Sequence, residues 1–325
     1  MVQRKEFFMS KWPAWAVAGL LVLTACSSGE EKKPTVVTLG TNGQLGSYVS
    51  VGKSLCDMVG DPTTCKVMPA GGAVQNMENV QTGKTLLGIV RADTMQRAWN
   101  GQAPFKEKLN KFRVLFALQE EAVTLVAPEK AEISFFQRVR GKRLNAGPEG
   151  SDDARLVTEL SEACKEVLGE VSLSRLGPAE LVHAMQSRAA DGFFSLLSHP
   201  DFALSRSMLA APLEIVPIGG DCVDTLVRSH AHFEMTSVPG KMYRGTELDV
   251  PTVGVRYWVV AHADVSPDVT YRVVLRVFEN LEKFRQSNPY LFRLSPRRMV
   301  KSINIPYHAG ALKYYQKKGW FKSGK

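Results

Sequence analysis

The spacing of apolar positions along this chain switches repeatedly between two periods. Runs of mostly apolar residues at 35–39, 66–69, 86–90, 112–119, 122–127, 142–146, 192–196 and 213–217 have the length and β-branched content of buried strands, and 249–261 reads as one longer strand. Between them, apolar residues recur at helical spacing at 49–56, 74–82, 133–140, 153–168, 178–188, 268–285 and 309–318. Such alternation predicts an α/β fold on a mostly parallel, doubly wound sheet. After Pro128 the pattern starts afresh, and it rejoins the first set near Thr252. Two α/β lobes are therefore expected, residues 35–126 with 252–325 and residues 127–251. They would be joined by a two-crossing hinge, with a cleft between them.

Three strand-to-helix turns are rich in glycine: Gly40 to Tyr48, Ala70 to Ala73, and Gly147 to Asp152. In the last, Gly147, Pro148 and Gly150 force a turn, and Ser151 or Asp152 can cap the helix that follows. A helix start leaves backbone N–H groups pointing at one spot, which is how small anions are held. In open α/β sheets ligands sit beyond the carboxyl ends of the strands, where these turns lie.

Net charge is +9, concentrated at the end of the chain: residues 283–325 hold eleven Lys or Arg and no acid. This reads as a solvated basic face around a C-terminal helix, with partner or lipid contact as the alternative. No zinc spacing, RNA-binding signature or basic-aromatic alternation supports nucleic acid as a partner. No metal-ligand cluster forms among the six His. There is no Gly-x-Ser-x-Gly elbow and no nucleophile with an evident base, so no enzyme activity, cofactor or metal is expected.

Arg4, Lys5 and Lys11 precede the apolar run 12–23, which has the layout of a secretory signal. It ends in Leu23-Thr-Ala-Cys26, which resembles a bacterial lipobox, and Ser27 at the next position resembles lipoproteins sorted to the outer membrane. The expectation is a signal peptide at 1–25, a tether at 26–34 and a lipid anchor on Cys26. That places the protein, as a monomer, on the periplasmic side of a bacterial membrane. Disulfides persist there. Cys56, Cys65, Cys164 and Cys222 allow three connectivities. Cys56 with Cys65, across a helix end and a turn, is the expected first pair, which would leave Cys164 with Cys222.

In sequence order, Gly40-Thr-Asn-Gly43 with Gly46 and Tyr48, Gly71 to Asn76, Val90 to Asp93, Asn100-Gly101, Gly141 to Ser151, Asp191 to Phe194 with His199-Pro200, Asp249 to Val255, and Tyr307 to Gly310 together resemble the TAXI family of solute-binding proteins that serve TRAP transporters. The resemblance covers residues 35–319. It implies a type II periplasmic-binding-protein fold that captures a small carboxylate-bearing solute, an amino acid such as glutamate or a 2-oxoacid, and hands it to a TRAP membrane permease. A sensing or scaffolding lipoprotein without its own permease is the second expectation. By the same resemblance Gly43, Tyr48, Gly72, Asn76 and Arg91 would face the cleft from the first lobe. Gly150, Ser151 and Asp152 would face it from the second, with Ser195 and His199 near the mouth.

The chain departs from the family at three of these places. Gly-Ser-Gly-Thr becomes Gly150-Ser-Asp-Asp153, Gly-Gly-Ser becomes Gly71-Gly-Ala73, and the Gln before Ala-Asp becomes Arg91. A carboxylate at Asp152 would repel a ligand carboxylate, while Arg91 would attract one in a bidentate pair and Asp152 or Asp153 would meet an amino group. The departures predict a zwitterionic or partly cationic ligand rather than a dicarboxylate.

Overall fold

The computed structural model describes residues 36–42, 47–59, 65–301 and 303–321. The expected signal peptide and tether, Cys26, Ser27 and Gly43 lie outside the described residues. Strands β1 (Val37–Asn42), β2 (Cys65–Ala70) and β3 (Leu87–Arg91) alternate with helices α1 (Ser47–Val59), α2 (Ala73–Gln81) and α3 (Ala92–Asn100). Next comes β4 (Phe112–Pro128), one continuous strand of 17 residues, where the sequence pattern predicted two. Glu120 and Glu121 interrupt the apolar run. The strand continues through them because each carboxylate finds partners inside the fold, as described below.

A second alternating set follows: β5 (Arg143–Asn145), α4 (Asp152–Ala163), α5 (Lys165–Leu168), β6 (Ser172–Ser174), α6 (Pro178–Gln186), β7 (Gly192–Leu197), α7 (Phe202–Ala210), β8 (Leu213–Val216), α8 (Asp221–Ser229) and β9 (Phe233–Val238). Then come β10 (Val250–His262), α9 (Pro267–Glu279), α10 (Leu281–Gln286), α11 (Pro296–Met299) and α12 (Ala309–Lys317). Helices α7 and α8 and strands β6 and β9 did not stand out in the sequence. The helix expected at 133–140 is a short 3-10 turn, Phe136–Val139.

The sheet order is β2-β1-β3-β10-β4-β7-β5-β6, with β8 added to β4 and β9 to β10. It is mixed rather than mostly parallel. β1 is parallel to β2 and β3, and β5 to β6 and β7. The two long strands run against their neighbours: β10 is antiparallel to β3, β4 and β9, and β4 to β7 and β8. Residues 112–117 of β4 pair with the end of β10, beside β3, whereas residues 122–128 pair with β7 and β8. The long strands are thus common property of both parallel sets.

Helices cover both faces. On one, Val51 and Leu55 of α1, Val274 and Val277 of α9 and Tyr315 of α12 pack with Leu39, Ile89, Phe116 and Val259 of the sheet. On the other, Met77, Val80 and Met95 of α2 and α3 meet Val90, Val114 and Trp258. Each such side chain contributes about 1.5–3 kcal/mol on burial. Disulfides Cys56–Cys65 and Cys164–Cys222 settle the connectivity, the first tying α1 to β2 and the second tying the end of α4 to α8. The basic C-terminal segment is not simply solvated, because Arg298 and Lys301 pair with Glu120 and Glu234. Among the described residues no helix is long and apolar enough to cross a membrane.

Candidate functional site

β3 ends in Arg91 just where α3 begins, so a guanidinium stands at the carboxyl edge of a fully buried strand. Its side chain is 1% exposed. Nε donates to Asp93 Oδ1 at 2.6 Å and Nη2 to Asp93 Oδ2 at 3.1 Å. Nη2 also donates to Asp152 Oδ1 at 2.7 Å, in the first turn of α4. Nη1 has no hydrogen-bond partner among the described residues. Arg155, one turn along α4, pairs with both Asp93 and Asp152. Burial alone would raise the Asp93 carboxyl, but Arg91 and Arg155 outweigh it and hold the group well below the usual carboxylate range. The row continues outward, where Arg97 and His232 both bind Glu159, at 2.6 and 2.7 Å.

Tyr257 of β10 lies directly opposite Arg91 in the antiparallel register, and so on the same side of the sheet. Its ring stacks on Tyr48 of α1 with centroids 3.7 Å apart, and the Tyr48 hydroxyl donates to the Gln119 carbonyl. Beside this pair stands Glu121. Ser198 Oγ donates to Glu121 Oε1 at 3.1 Å, and Ser47 reaches Ser198 at 3.3 Å. Burial pushes Glu121 up to about 7, against the pull of Arg91. Its neighbour Glu120 points the other way, to Arg256, Arg298 and Thr236. Burial would raise Glu120 too, but the two guanidiniums hold it below its ordinary value. One acid of the adjacent pair is therefore neutralised by fixed cations, and the other faces the Arg91 cluster without a dedicated one.

Of the residues singled out in the sequence, Tyr48, Arg91 and Asp152 come together here. The Arg91 fork, expected to grip a ligand carboxylate in a bidentate pair, is filled by Asp93 and Asp152. Ser151 caps α4, its hydroxyl accepting from the Ala154 N–H at 3.1 Å. With Gly150 it lines a separate cavity of about 350 Å³ that also meets Arg97, Arg155 and Arg175. Asp153 turns inward, taking the Leu196 N–H at 3.0 Å and the Ser195 hydroxyl at 3.5 Å, so Ser195 is joined to α4. Gly147 allows that approach: its φ is +81°, and a Cβ there would lie 2.8 Å from the Asp153 Cβ. His199 is buried between Thr124 at 2.9 Å and Tyr243 at 2.6 Å, both ring nitrogens engaged, with burial pushing it down to about 4. Asn76 is buried and donates to the Ile89 carbonyl at 2.8 Å, tying α2 to β3. Gly72 precedes α2 with open space around it.

Sequence reasoning missed Asp93, Glu121, Ser198 and Tyr257 as site residues. The available signals were Asp93's place in the Val90–Asp93 motif and the acid pair interrupting the apolar run of β4.

A mixed α/β sheet crossed by two long shared strands, with charged groups gathered at the carboxyl edge of β3, defines a class: the type II periplasmic-binding-protein-like fold. The chain superimposes on PhnD1 from Prochlorococcus marinus (MIT 9301) in complex with methylphosphonate with a TM-score of 0.53 at 13% identity, covering 89% of this chain and 100% of that one. A TctC solute binding protein from Polaromonas gives 0.52 at 11% identity, over 87% and 96% of the two chains. The "probable amino-acid ABC transporter extracellular-binding protein" ytmK from Bacillus subtilis gives 0.50 at 10%, over 80% and 98%. At the level of sequence, residues 39–319 match the NMT1-like family, and the chain belongs to it.

Proposed function

We propose that this protein is an extracytoplasmic solute-binding protein that captures a small carboxylate-bearing solute, an amino acid or 2-oxoacid, and delivers it to the permease of a TRAP-type secondary transporter. The lobes would be residues 35–126 with 252–325 and residues 127–251, and Cys26 would anchor the chain by lipid to the periplasmic side of a membrane. The observation that carries this reading is Arg91. Among the described residues, a buried guanidinium keeps one N–H face unpaired, at a junction between β3 and α4, beside a carboxylate with no fixed cation of its own. Unpaired buried donors are costly unless something completes them, and a small solute with an acceptor and a donor would complete both. PhnD1 holds methylphosphonate, and ytmK is named for amino-acid transport; both support a small polar solute. The site lies where α/β folds hold ligands.

The reading is tested by mass spectrometry of small molecules released on denaturing the purified protein. One amino- or carboxyl-bearing compound in near-stoichiometric amount supports it. Release of a compound with neither group, or chemical turnover of an added solute, overturns it.

A further inference from the structure

The reading just given leaves the class of amino acid open, and the inference here rests on it. Among the described residues at the junction, Arg91 is the cation whose guanidinium is wholly buried. Its Nε–Nη2 edge is closed by Asp93, and Nη2 is shared with Asp152. Among the described residues, Nη1 is the guanidinium nitrogen left without a partner, and it is the one a ligand would complete. The charges around it are two guanidiniums, Arg91 and Arg155, against Asp93, Asp152 and Glu121. One ligand carboxylate at Nη1 would complete Arg91, and a ligand ammonium would suit Glu121. Among the described residues, a second ligand carboxylate would find no free cation there and would face Asp152.

We infer that Asp152 is a built-in counter-ion that takes the place of a second ligand carboxylate, so that the site accepts a neutral or basic amino acid and rejects a dicarboxylic one. Asp152 is well suited to that part. Its side chain is 45% exposed, so it stands at the surface of the junction, held across the chain by Arg91 and along α4 by Arg155. Ser151, not Asp152, provides the helix cap, so the Asp152 carboxylate is not needed to start α4. Glu121 supplies the second half of the selectivity, since a 2-oxoacid has no ammonium to offer it.

The test is calorimetric titration of the full mature chain with the twenty common amino acids, 2-oxoglutarate and succinate, on wild type, Asp152→Asn and Asp152→Gly. The first variant keeps the shape and an acceptor for Arg91, so a folding defect in the second leaves the comparison intact. The expected result is that a neutral or basic amino acid binds wild type at least about tenfold tighter than L-glutamate, 2-oxoglutarate or succinate. Both variants should narrow that ratio by about fivefold, the lower end of the Coulomb range at ~4 Å once solvent screening of a half-exposed group is allowed for. Glu121→Gln should weaken the amino acid while leaving the 2-oxoacid unchanged. Dicarboxylates binding wild type as tightly as neutral amino acids, or a ratio unmoved by both Asp152 variants, overturns the inference alone. No binding of any probe to any form overturns the amino-acid reading of the site as well.

Discussion

The guanidinium of Arg91 donates to the carboxylate of Asp152 at 2.7 Å across 61 residues of chain, joining the end of β3 to the start of α4. The pair is lopsided, with one partner buried and the other 45% exposed. Removing Arg91 leaves Asp93 buried with only Arg155 to balance it, whereas removing Asp152 leaves a guanidinium still held by Asp93. Arg91→Ala should cost about 3 kcal/mol of unfolding free energy, the low end for breaking a buried pair. Asp152→Ala should cost under about 1 kcal/mol. Urea denaturation of the two variants measures both, and equal losses would contradict the asymmetry.

Two buried groups make opposite contributions to stability as pH changes. Folded Glu121 titrates at about 7 against an ordinary 4.5, so the folded state keeps a proton that the unfolded state has released. Its stabilising contribution is full below about 4.5 and is lost as pH rises to about 7. Folded His199 titrates at about 4 against 6.5, so its contribution is full above 6.5 and is lost as pH falls to 4. Each is on the order of 3 kcal/mol. Between pH 4.5 and 6.5 the two slopes oppose each other, and wild type should show a flattened profile there. Glu121→Gln should expose a stability that rises with pH, and His199→Asn one that falls. Unfolding midpoints across pH 4–8 in the two variants decide it.

The disulfides differ in the length of chain they close. Cys164–Cys222 spans 58 residues and Cys56–Cys65 spans 9. The loop-entropy relation gives about 4 kcal/mol for the first and about 2.6 kcal/mol for the second. Replacing Cys164 and Cys222 by Ser should therefore lower the unfolding free energy more than replacing Cys56 and Cys65. Parallel urea melts of the two double variants test this order.

Asp153 is adjacent to Asp152 but faces into the fold. Asp153→Ala leaves the Leu196 N–H and the Ser195 hydroxyl without their acceptor and should cost about 1–3 kcal/mol. It should leave the preference among ligands unchanged, where Asp152→Asn moves it. A change of preference in Asp153→Ala would place that carboxylate in the site instead.

The alternation of strand and helix was legible because most elements bury one continuous apolar face, as β3 and α1 do. It failed where charge sits inside. The pattern broke β4 at Glu120 and Glu121, two residues that stay in a buried strand only because Arg256 and Arg298 on one side, and Ser198 and Tyr257 on the other, meet them from distant parts of the chain. α7 was missed because Phe202 and Leu209 stand exposed and blur its periodicity. In the site, Arg91 and Asp152 could be named from the sequence, but not their pairing. His199, Asn76 and Ser151 carry donors and acceptors that suit a ligand equally well. Only their distances to Tyr243, Ile89 and Ala154 reveal what occupies them.

β4 and β10 are shared, unbroken, by both parallel sets, and their register shifts between Arg256 and Trp258. A chain connected by loops could swing apart with its strands intact. Here both sets are tied through two paired strands whose register shift sits beside the Glu120–Arg256 ion pair, so the link between the sets is sheet backbone rather than loop.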